Sequence, residues 1–190
     1  MESGLLKSRN FTQLSILKGE VPKRTLKNLE FKAKCGSLDA LRQRLASLQA
    51  EHRLTMKQLD TYFNIPQGRL KLREINSHKA ELIYYERSDL AESRYSNYQI
   101  CDISEPTAFK QIATMALGVK GVVEKQRELW MFGDTRIHLD EVKNLGQFVE
   151  LETVIHNQTE EEAQAEHQLV KDALGIKEED LVSMSYSDLV

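Results

Sequence analysis

The chain has little cysteine and no long apolar run, and each of these scarcities excludes a class of protein. Its two cysteines, Cys35 and Cys101, stand far apart among 190 residues, which indicates neither a disulfide framework nor a zinc site. No apolar stretch approaches the roughly 20 residues of a membrane-spanning helix, and no apolar segment of a secretory signal follows the first residues. We therefore expect a cytoplasmic protein with no membrane partner.

A net charge of −3, from 26 basic and 29 acidic residues, hides an uneven distribution of positive charge. Residues 1–27 carry six basic and only two acidic residues. Such a leader has the composition of an organelle transit peptide, yet its acids, Gly19 and Pro22 favour a flexible N-terminal extension. Residues 28–190 then form one net acidic domain, for which nucleic-acid binding is not expected.

Hydrophobic spacing divides the rest of the chain into three helices and about eight strands. Ser37 is a suitable N-cap for a first helix, Pro106 lies in the first turn of a second, and Thr159 and Glu162 form a capping box for a third. Alternating side chains predict strands at 27–34, 57–64, 68–75, 79–87, 95–103, 120–132, 135–142 and 147–156, with a short further strand near 183–189. The predicted fold class is α+β, dominated by one antiparallel sheet.

Five of these strands alternate apolar residues with closely spaced charges. In one of them Arg69, Lys71 and Arg73 share a face, and two leucines occupy the other. A sheet with one wet face alternates in the same way, and for any single strand that interpretation is the more common one. Cations about 7 Å apart nevertheless repel each other unless an anion lies among them. Five such strands together therefore favour a binding site for an anion.

Closing the sheet into a barrel of eight strands, with the charged faces inward, creates such a site. A barrel of this size holds side chains or one small ligand. Arginine suits bidentate contact with phosphate oxygens, and lysine acts as a point charge. The predicted phosphate-binding cations are Lys32, Arg69, Lys71, Arg73, Lys125, Arg127 and Arg136. The predicted ligands of Mg²⁺ or Mn²⁺ are the carboxylates of Glu30, Asp140, Glu150 and Glu152.

The order of these motifs resembles the CYTH superfamily, also called triphosphate tunnel metalloenzymes. Residues 28–34, which contain Glu30 and Lys32, are similar to the opening ExExK strand of that family. The later motifs follow in the family's order at 58–63, 68–74, 125–130, 136–142 and 145–152, with a similar ending at 185–190. The resemblance covers the chain from Asn28 to its last residue. It is greatest for small class IV adenylyl cyclase-like proteins, and it extends to thiamine triphosphatases.

The resemblance implies a closed eight-stranded antiparallel β-barrel with flanking helices and a charged tunnel. It implies that the cations named above hold the phosphates of a small-molecule triphosphate substrate, and that the four carboxylates hold or orient the metal. The reaction is then either triphosphate hydrolysis or the cyclisation of ATP to cAMP, and the sequence leaves both open. It also leaves open whether the chain forms a homodimer.

Two positions depart from the family's pattern, and one histidine shares a charged strand face. Asn28 replaces the first glutamate of ExExK. This replacement leaves open the alternative that the chain is a non-catalytic protein that binds polyphosphate or nucleotide. Arg87 stands where many members of the family place a tunnel lysine. His138 shares a face with Arg136 and Asp140. We expect His138 to make a structural hydrogen bond in the tunnel lining, with phosphate contact or proton transfer as the alternative.

Overall fold

The computed structural model describes residues 26–87, 94–155 and 158–189, which contain eight strands and three α-helices. The strands are β1 (Leu26–Lys34), β2 (Glu51–Phe63), β3 (Arg69–Ile75), β4 (Lys79–Arg87), β5 (Arg94–Asp102), β6 (Val119–Phe132), β7 (Thr135–Val142) and β8 (Gly146–Val154). The helices are α1 (Leu38–Ser47), α2 (Pro106–Leu117) and α3 (Glu160–Ala173), and short 3-10 helices cover Glu178–Asp180 and Tyr186–Asp188. The predicted α+β class is confirmed. No described helix is long and apolar enough to cross a membrane.

Two predictions lie outside the described residues. The N-terminal extension falls there apart from Leu26 and Lys27, whose backbone begins β1. The side chain of Arg87, considered as a substitute for a tunnel lysine, also lies outside the described part of the chain.

The eight strands form a closed antiparallel barrel in the order β1-β5-β4-β3-β2-β6-β7-β8. β1 closes the ring because it pairs with β5 on one side and with β8 on the other, where Lys32 lies opposite Glu150. The predicted closed barrel is therefore confirmed. Because successive side chains of a strand point to opposite faces, every strand contributes one face to the interior and one to the outside.

The main apolar core lies outside the barrel, between its wall and the helices α1 and α3. Phe31, Leu139 and Val149 of the strands pack there with Leu45 of α1 and Val170 of α3, and all five are nearly inaccessible to solvent. Full burial of such a side chain stabilises the fold by about 1.5–3 kcal/mol. The outer layer thus supplies hydrophobic stabilisation and leaves the barrel interior available for polar groups.

The helix boundaries follow the predicted capping residues. The Ser37 hydroxyl accepts a hydrogen bond from the Ala40 backbone at 3.3 Å. In α3 the Thr159 backbone donates to the Glu162 carboxylate at 2.8 Å, and the Glu162 backbone donates back to the Thr159 hydroxyl at 3.2 Å. The predicted capping box is confirmed, and α2 begins at Pro106 as expected.

Strand β2 begins earlier than predicted, at Glu51 instead of residue 57. The added residues 51–56 pair only with β6, whereas pairing with β3 begins at Gln58. Most of them are exposed, and only Leu54 and Met56 alternate with polar residues on this part of the strand. Two apolar residues are too short a pattern to predict a strand by alternation.

The prediction of a strand near 183–189 is wrong. Residues Tyr186–Asp188 form a 3-10 helix, in which the Ser185 backbone donates to the Asp188 carboxylate at 3.1 Å. Leu181 makes only an isolated bridge to Ala33. We call residues 183–189 the C-terminal turn.

Candidate functional site

The barrel interior contains a cavity of about 350 Å³, which we call the tunnel. This volume lies in the range of ordinary small-molecule sites. Among the described residues, the cations that line it are Lys32, Lys71, Arg73, Lys125, Arg127 and Arg136. The carboxylates that line it are Glu30, Glu81, Glu150 and Glu152. The structure thus brings together six of the seven predicted cations and three of the four predicted metal-binding carboxylates.

Asp60 of β2 holds the two tunnel cations of β3. It lies directly opposite Arg73 and has no solvent exposure. The Arg73 guanidinium donates through Nε and Nη2 to the two Asp60 oxygens, both at 2.8 Å, and Lys71 donates to Oδ2 at 3.0 Å. Burial alone would raise the pKa of Asp60, but Arg73 and Lys71 hold it well below its usual value. The ionised carboxylate therefore fixes the orientation of both cations.

Asp140 of β7 repeats this arrangement for the cations of β6. It lies opposite Arg127, is also fully buried, and accepts from Arg127 Nε at 2.6 Å and Nη2 at 2.5 Å. Lys125 donates to its Oδ2 at 3.2 Å, and the Tyr186 hydroxyl donates to the same oxygen at 2.9 Å. Burial opposes ionisation, but Arg127 and Lys125 lower the pKa of Asp140 to about 2. Two Lys-x-Arg strands are thus each anchored by an aspartate of a neighbouring strand.

His138, Glu150 and Glu152 form a cluster of possible metal ligands in the tunnel. One ligand atom of each lies within 4.8 Å of the others. The His138 Nδ1 atom is 4.0 Å from Glu150 Oε2 and 3.8 Å from Glu152 Oε1. Burial, together with the positive charge of Arg127, lowers the pKa of His138 to about 3, so the ring is neutral. Two carboxylates and a neutral imidazole suit a divalent cation.

The same carboxylates also contact tunnel cations. Glu150 Oε1 is 3.2 Å from Lys32 Nζ, and Glu150 Oε2 accepts from Arg127. Glu152 Oε2 lies 3.0 Å from Arg136 Nη2. Burial would raise the pKa of Glu150, but Arg127 and Lys32 hold it well below its usual value. Carboxylates and cations of the tunnel are therefore arranged side by side.

Comparison with known proteins agrees with this geometry. Residues 26–186 match the CYTH domain family over most of the chain. The chain belongs to the CYTH family. No curated protein matches it. The resemblance stated from the ordered charged motifs is confirmed.

Several solved structures share the CYTH fold of this chain. The PH1012 protein of Pyrococcus horikoshii OT3 is 26% identical, with a TM-score of 0.76 over 86% of this chain and 99% of that one. A candidate adenylate cyclase of Vibrio parahaemolyticus is 19% identical, with a TM-score of 0.68 over 87% and 97% of the two chains. HpAC1 from Hippeastrum, described as having a dominant triphosphatase activity, is 15% identical, with a TM-score of 0.58 over 78% and 88%. Because the latter two proteins are only 19% and 15% identical to this chain, these two comparisons support a shared fold and nothing further.

Two predicted site residues of this CYTH protein do not line the tunnel. Asp140 lies behind the lining, where its two oxygens accept four hydrogen bonds and orient the cations of β6. Arg69, at the start of β3, contacts Asp188 of the C-terminal turn at 3.1 Å and lines a second, smaller cavity together with Lys120. A metal-binding role for Asp140 and a phosphate-binding role for Arg69 stay predictions.

The C-terminal turn contributes Ser185 and Tyr186 to the lining of the CYTH tunnel. The Lys32 ammonium lies 3.5 Å from the centroid of the Tyr186 ring, and the Lys125 ammonium lies 4.8 Å from it. A cation over an aromatic face is attracted by the ring quadrupole. Sequence reasoning gave these residues no role in the site, because nothing in a terminal Ser-Tyr pair indicates that it folds back into a barrel.

Asp60 is the other functional residue that sequence reasoning missed. Asp60 is the single acid of the motif at 58–63. Gln58, Asp60 and Tyr62 alternate with Leu59 and Thr61, so the acid was available as an inward-facing residue. Its position opposite the cations of β3 depends on strand register, which the sequence does not specify.

Proposed function

We propose that this CYTH protein is a metal-dependent phosphoryl-transfer enzyme that acts on a triphosphate compound in the tunnel. The observation that carries the proposal is the pair of Lys-x-Arg strands, each held in place by a buried aspartate. Cations fixed in advance stabilise developing negative charge without reorganising during the reaction. Their proximity to Glu150 and Glu152 supplies the second requirement of such chemistry, a place for a divalent cation.

The charge of the tunnel supports a metal–triphosphate complex over the free anion. Among the described residues, six cations face four lining carboxylates, and Asp60 and Asp140 lie directly behind them. With Lys125 protonated, positive and negative charges are therefore equal in number. A bare polyanion would enter a tunnel without net positive charge, whereas a bound metal ion offsets part of its charge. Metal and triphosphate should thus bind together more tightly than either binds alone.

The tunnel residues have distinct tasks in this proposal. The guanidinium groups of Arg73 and Arg127 bind phosphate oxygens and stabilise the charge of the transferred group. A divalent ion held by Glu150 and Glu152 would neutralise phosphate charge as a Lewis acid. Hydrolysis and ATP cyclisation use the same residues and differ in how the substrate lies. The triphosphatase activity described for HpAC1 makes hydrolysis the first reaction to test.

A non-catalytic binder is the second candidate, and Asn28 is the observation that favours it. Asn28 is buried and lines the tunnel at the position of the family's first glutamate. A neutral amide is a weaker metal ligand than a carboxylate. Such a protein would hold polyphosphate or nucleotide without turning it over.

A product assay distinguishes these functions. The full chain is incubated with tripolyphosphate, thiamine triphosphate or ATP in the presence of Mg²⁺ or Mn²⁺, and phosphate, pyrophosphate and cAMP are measured. We expect metal-dependent turnover of at least one substrate and none in EDTA. Binding of these compounds by calorimetry without any turnover would reject the enzyme and support the binder.

Replacement of Arg73 by alanine should weaken triphosphate binding. Asp60 fixes Nε and Nη2 of this guanidinium, so the group is already oriented for phosphate. Loss of its charge-assisted hydrogen bonds should reduce the binding free energy by about 1.5–3 kcal/mol. Titration calorimetry with tripolyphosphate and Mn²⁺ measures the change, and exposed Arg53→Ala is the matched control. Unchanged affinity in a folded Arg73→Ala protein would exclude this residue from the site.

Triphosphate binding should take up a proton through Lys125. Burial, reinforced by the neighbouring charge of Arg127, lowers the pKa of Lys125 from 10.5 to about 7. Above that pH the free protein holds a neutral amine, and a bound polyanion favours its protonation. Affinity should therefore fall from pH 7 to pH 9, and the binding heat at pH 8 should vary with the ionisation enthalpy of the buffer. In Lys125→Arg, which stays charged, both effects should shrink. Equal proton uptake by the two proteins would contradict this assignment.

A further inference from the structure

His138 has a feature that the proposed function does not use. Its ring is 7% exposed and lines the tunnel opposite Glu150 of β8. Its Nδ1 atom is buried and has no hydrogen-bond partner within the described part of the chain. Buried polar atoms are almost always hydrogen-bonded, so an exception of this kind requires an explanation. The structural hydrogen bond that we expected for His138 is therefore not found at this nitrogen.

The atoms around Nδ1 are those of a metal site. Glu150 Oε2 and Glu152 Oε1 lie 4.0 Å and 3.8 Å away. Adjacent ligands of one octahedral ion at about 2.1 Å stand about 3 Å apart. Small rotations of the three side chains would bring their ligand atoms to that spacing. The cations that contact the two carboxylates, Arg127 and Arg136, would gain phosphate oxygens as alternative acceptors when a triphosphate binds.

The chemistry of a nitrogen ligand determines which ions suit the site. In the tautomer that carries its hydrogen at Nε2, the Nδ1 lone pair binds a metal ion and cannot donate to a phosphate oxygen. Mg²⁺ prefers oxygen ligands and retains its water, whereas imidazole binds first-row transition metals well. Two carboxylates alone would offer little discrimination between Mg²⁺ and Mn²⁺.

We infer that His138 coordinates the catalytic metal through Nδ1, together with Glu150 and Glu152, and thereby makes the site select Mn²⁺ or Co²⁺ over Mg²⁺. This inference rests on the proposed function, because it concerns the same metal site. It makes His138 a metal ligand and predicts that Mn²⁺ and Co²⁺ bind more tightly than Mg²⁺.

Pulsed electron paramagnetic resonance of bound Mn²⁺ tests the coordination directly. The full chain is loaded with Mn²⁺ and a methylene-bridged triphosphate analogue, which resists hydrolysis and contains no nitrogen, and the spin-echo decay is examined for modulation by ¹⁴N. We expect the modulation of a directly bound imidazole in the wild type and its loss in His138→Ala and His138→Asn. The exposed His78→Asn provides the matched control and should retain it. The asparagine variant keeps a polar group in place if the alanine variant does not fold.

Competition between ions provides a second readout. Mn²⁺ affinity should fall at least about tenfold in His138→Asn. Mg²⁺ should then displace Mn²⁺ at a correspondingly lower concentration. Mn²⁺ bound without ¹⁴N modulation would overturn the role of His138 and leave the proposed function standing. Failure of the protein to hold any Mn²⁺ in the presence of the methylene-bridged analogue would overturn both.

Discussion

Replacement of Glu152 by glutamine should reduce kcat/KM for the triphosphate substrate by at least about 100-fold. The substitution keeps the size of the side chain but removes one of the two anionic ligands beside His138. It also removes the carboxylate that lies 3.0 Å from Arg136. The rate of phosphate or pyrophosphate release as a function of Mn²⁺ concentration measures the loss.

The control for this prediction is Glu124→Gln, the same substitution at an exposed carboxylate that pairs with Lys143. Its activity should match that of the wild type. Asn28→Glu is the converse experiment, because it adds a carboxylate to the tunnel lining. It should lower the Mn²⁺ concentration needed for half-maximal activity. Full activity of Glu152→Gln, or of the wild type in EDTA, would contradict the proposed metal dependence of the reaction.

Replacement of Asp140 by asparagine should lower the free energy of unfolding by about 3–5 kcal/mol. The carboxylate is fully buried and pairs with both Lys125 and Arg127. Asparagine would leave these buried cations without their counter-ion and turn an amide donor towards one of them. For a domain of this size, the melting temperature should fall by roughly 6–20 °C.

The exposed pair of Asp39 and Arg42 is the matched control for this prediction. Asp39 is 85% exposed, so Asp39→Asn should cost less than about 1 kcal/mol. Acid dependence is a further check. Because the pKa of Asp140 is lowered from 3.8 to about 2, its contribution is complete above pH 3.8 and is lost as the pH falls towards 2. Equal melting temperatures for wild type and Asp140→Asn would show that the buried Asp140 carboxylate does not stabilise the fold.

The fold was largely predictable because alternation and caps are local signals. Thr159 and Glu162 located the start of α3, and alternating charge in Lys71 and Arg73 located β3. Residues 51–56 were not predictable as strand, because only Leu54 and Met56 alternate with polar residues in this exposed end, which pairs on one side. The C-terminal turn was misassigned because its conformation depends on the hydrogen bond between Ser185 and Asp188, not on propensity.

The composition of the site was predictable to a lesser degree than the fold. Inward-facing cations could be read from two-residue spacing, and six of them do line the tunnel. The counter-ions of these cations could not be predicted. Asp60 and Asp140 contact the cations across strand pairs, and strand register depends on the tertiary structure. The clustered cations do not require an external anion, since the protein supplies two buried aspartates of its own. That arrangement orients the cations, and in the proposed function the triphosphate binds between them as a metal complex.

A crystal structure of the full chain with Mn²⁺ and imidotriphosphate tests the central claim most directly. The account predicts phosphate oxygens within hydrogen-bond distance of Arg73, Lys125 and Arg127, and Mn²⁺ coordinated by Glu150 and Glu152 inside the barrel. Triphosphate bound only outside the tunnel, for example between Arg69 and Lys120, would contradict it. So would triphosphate in the tunnel with no metal at the two glutamates.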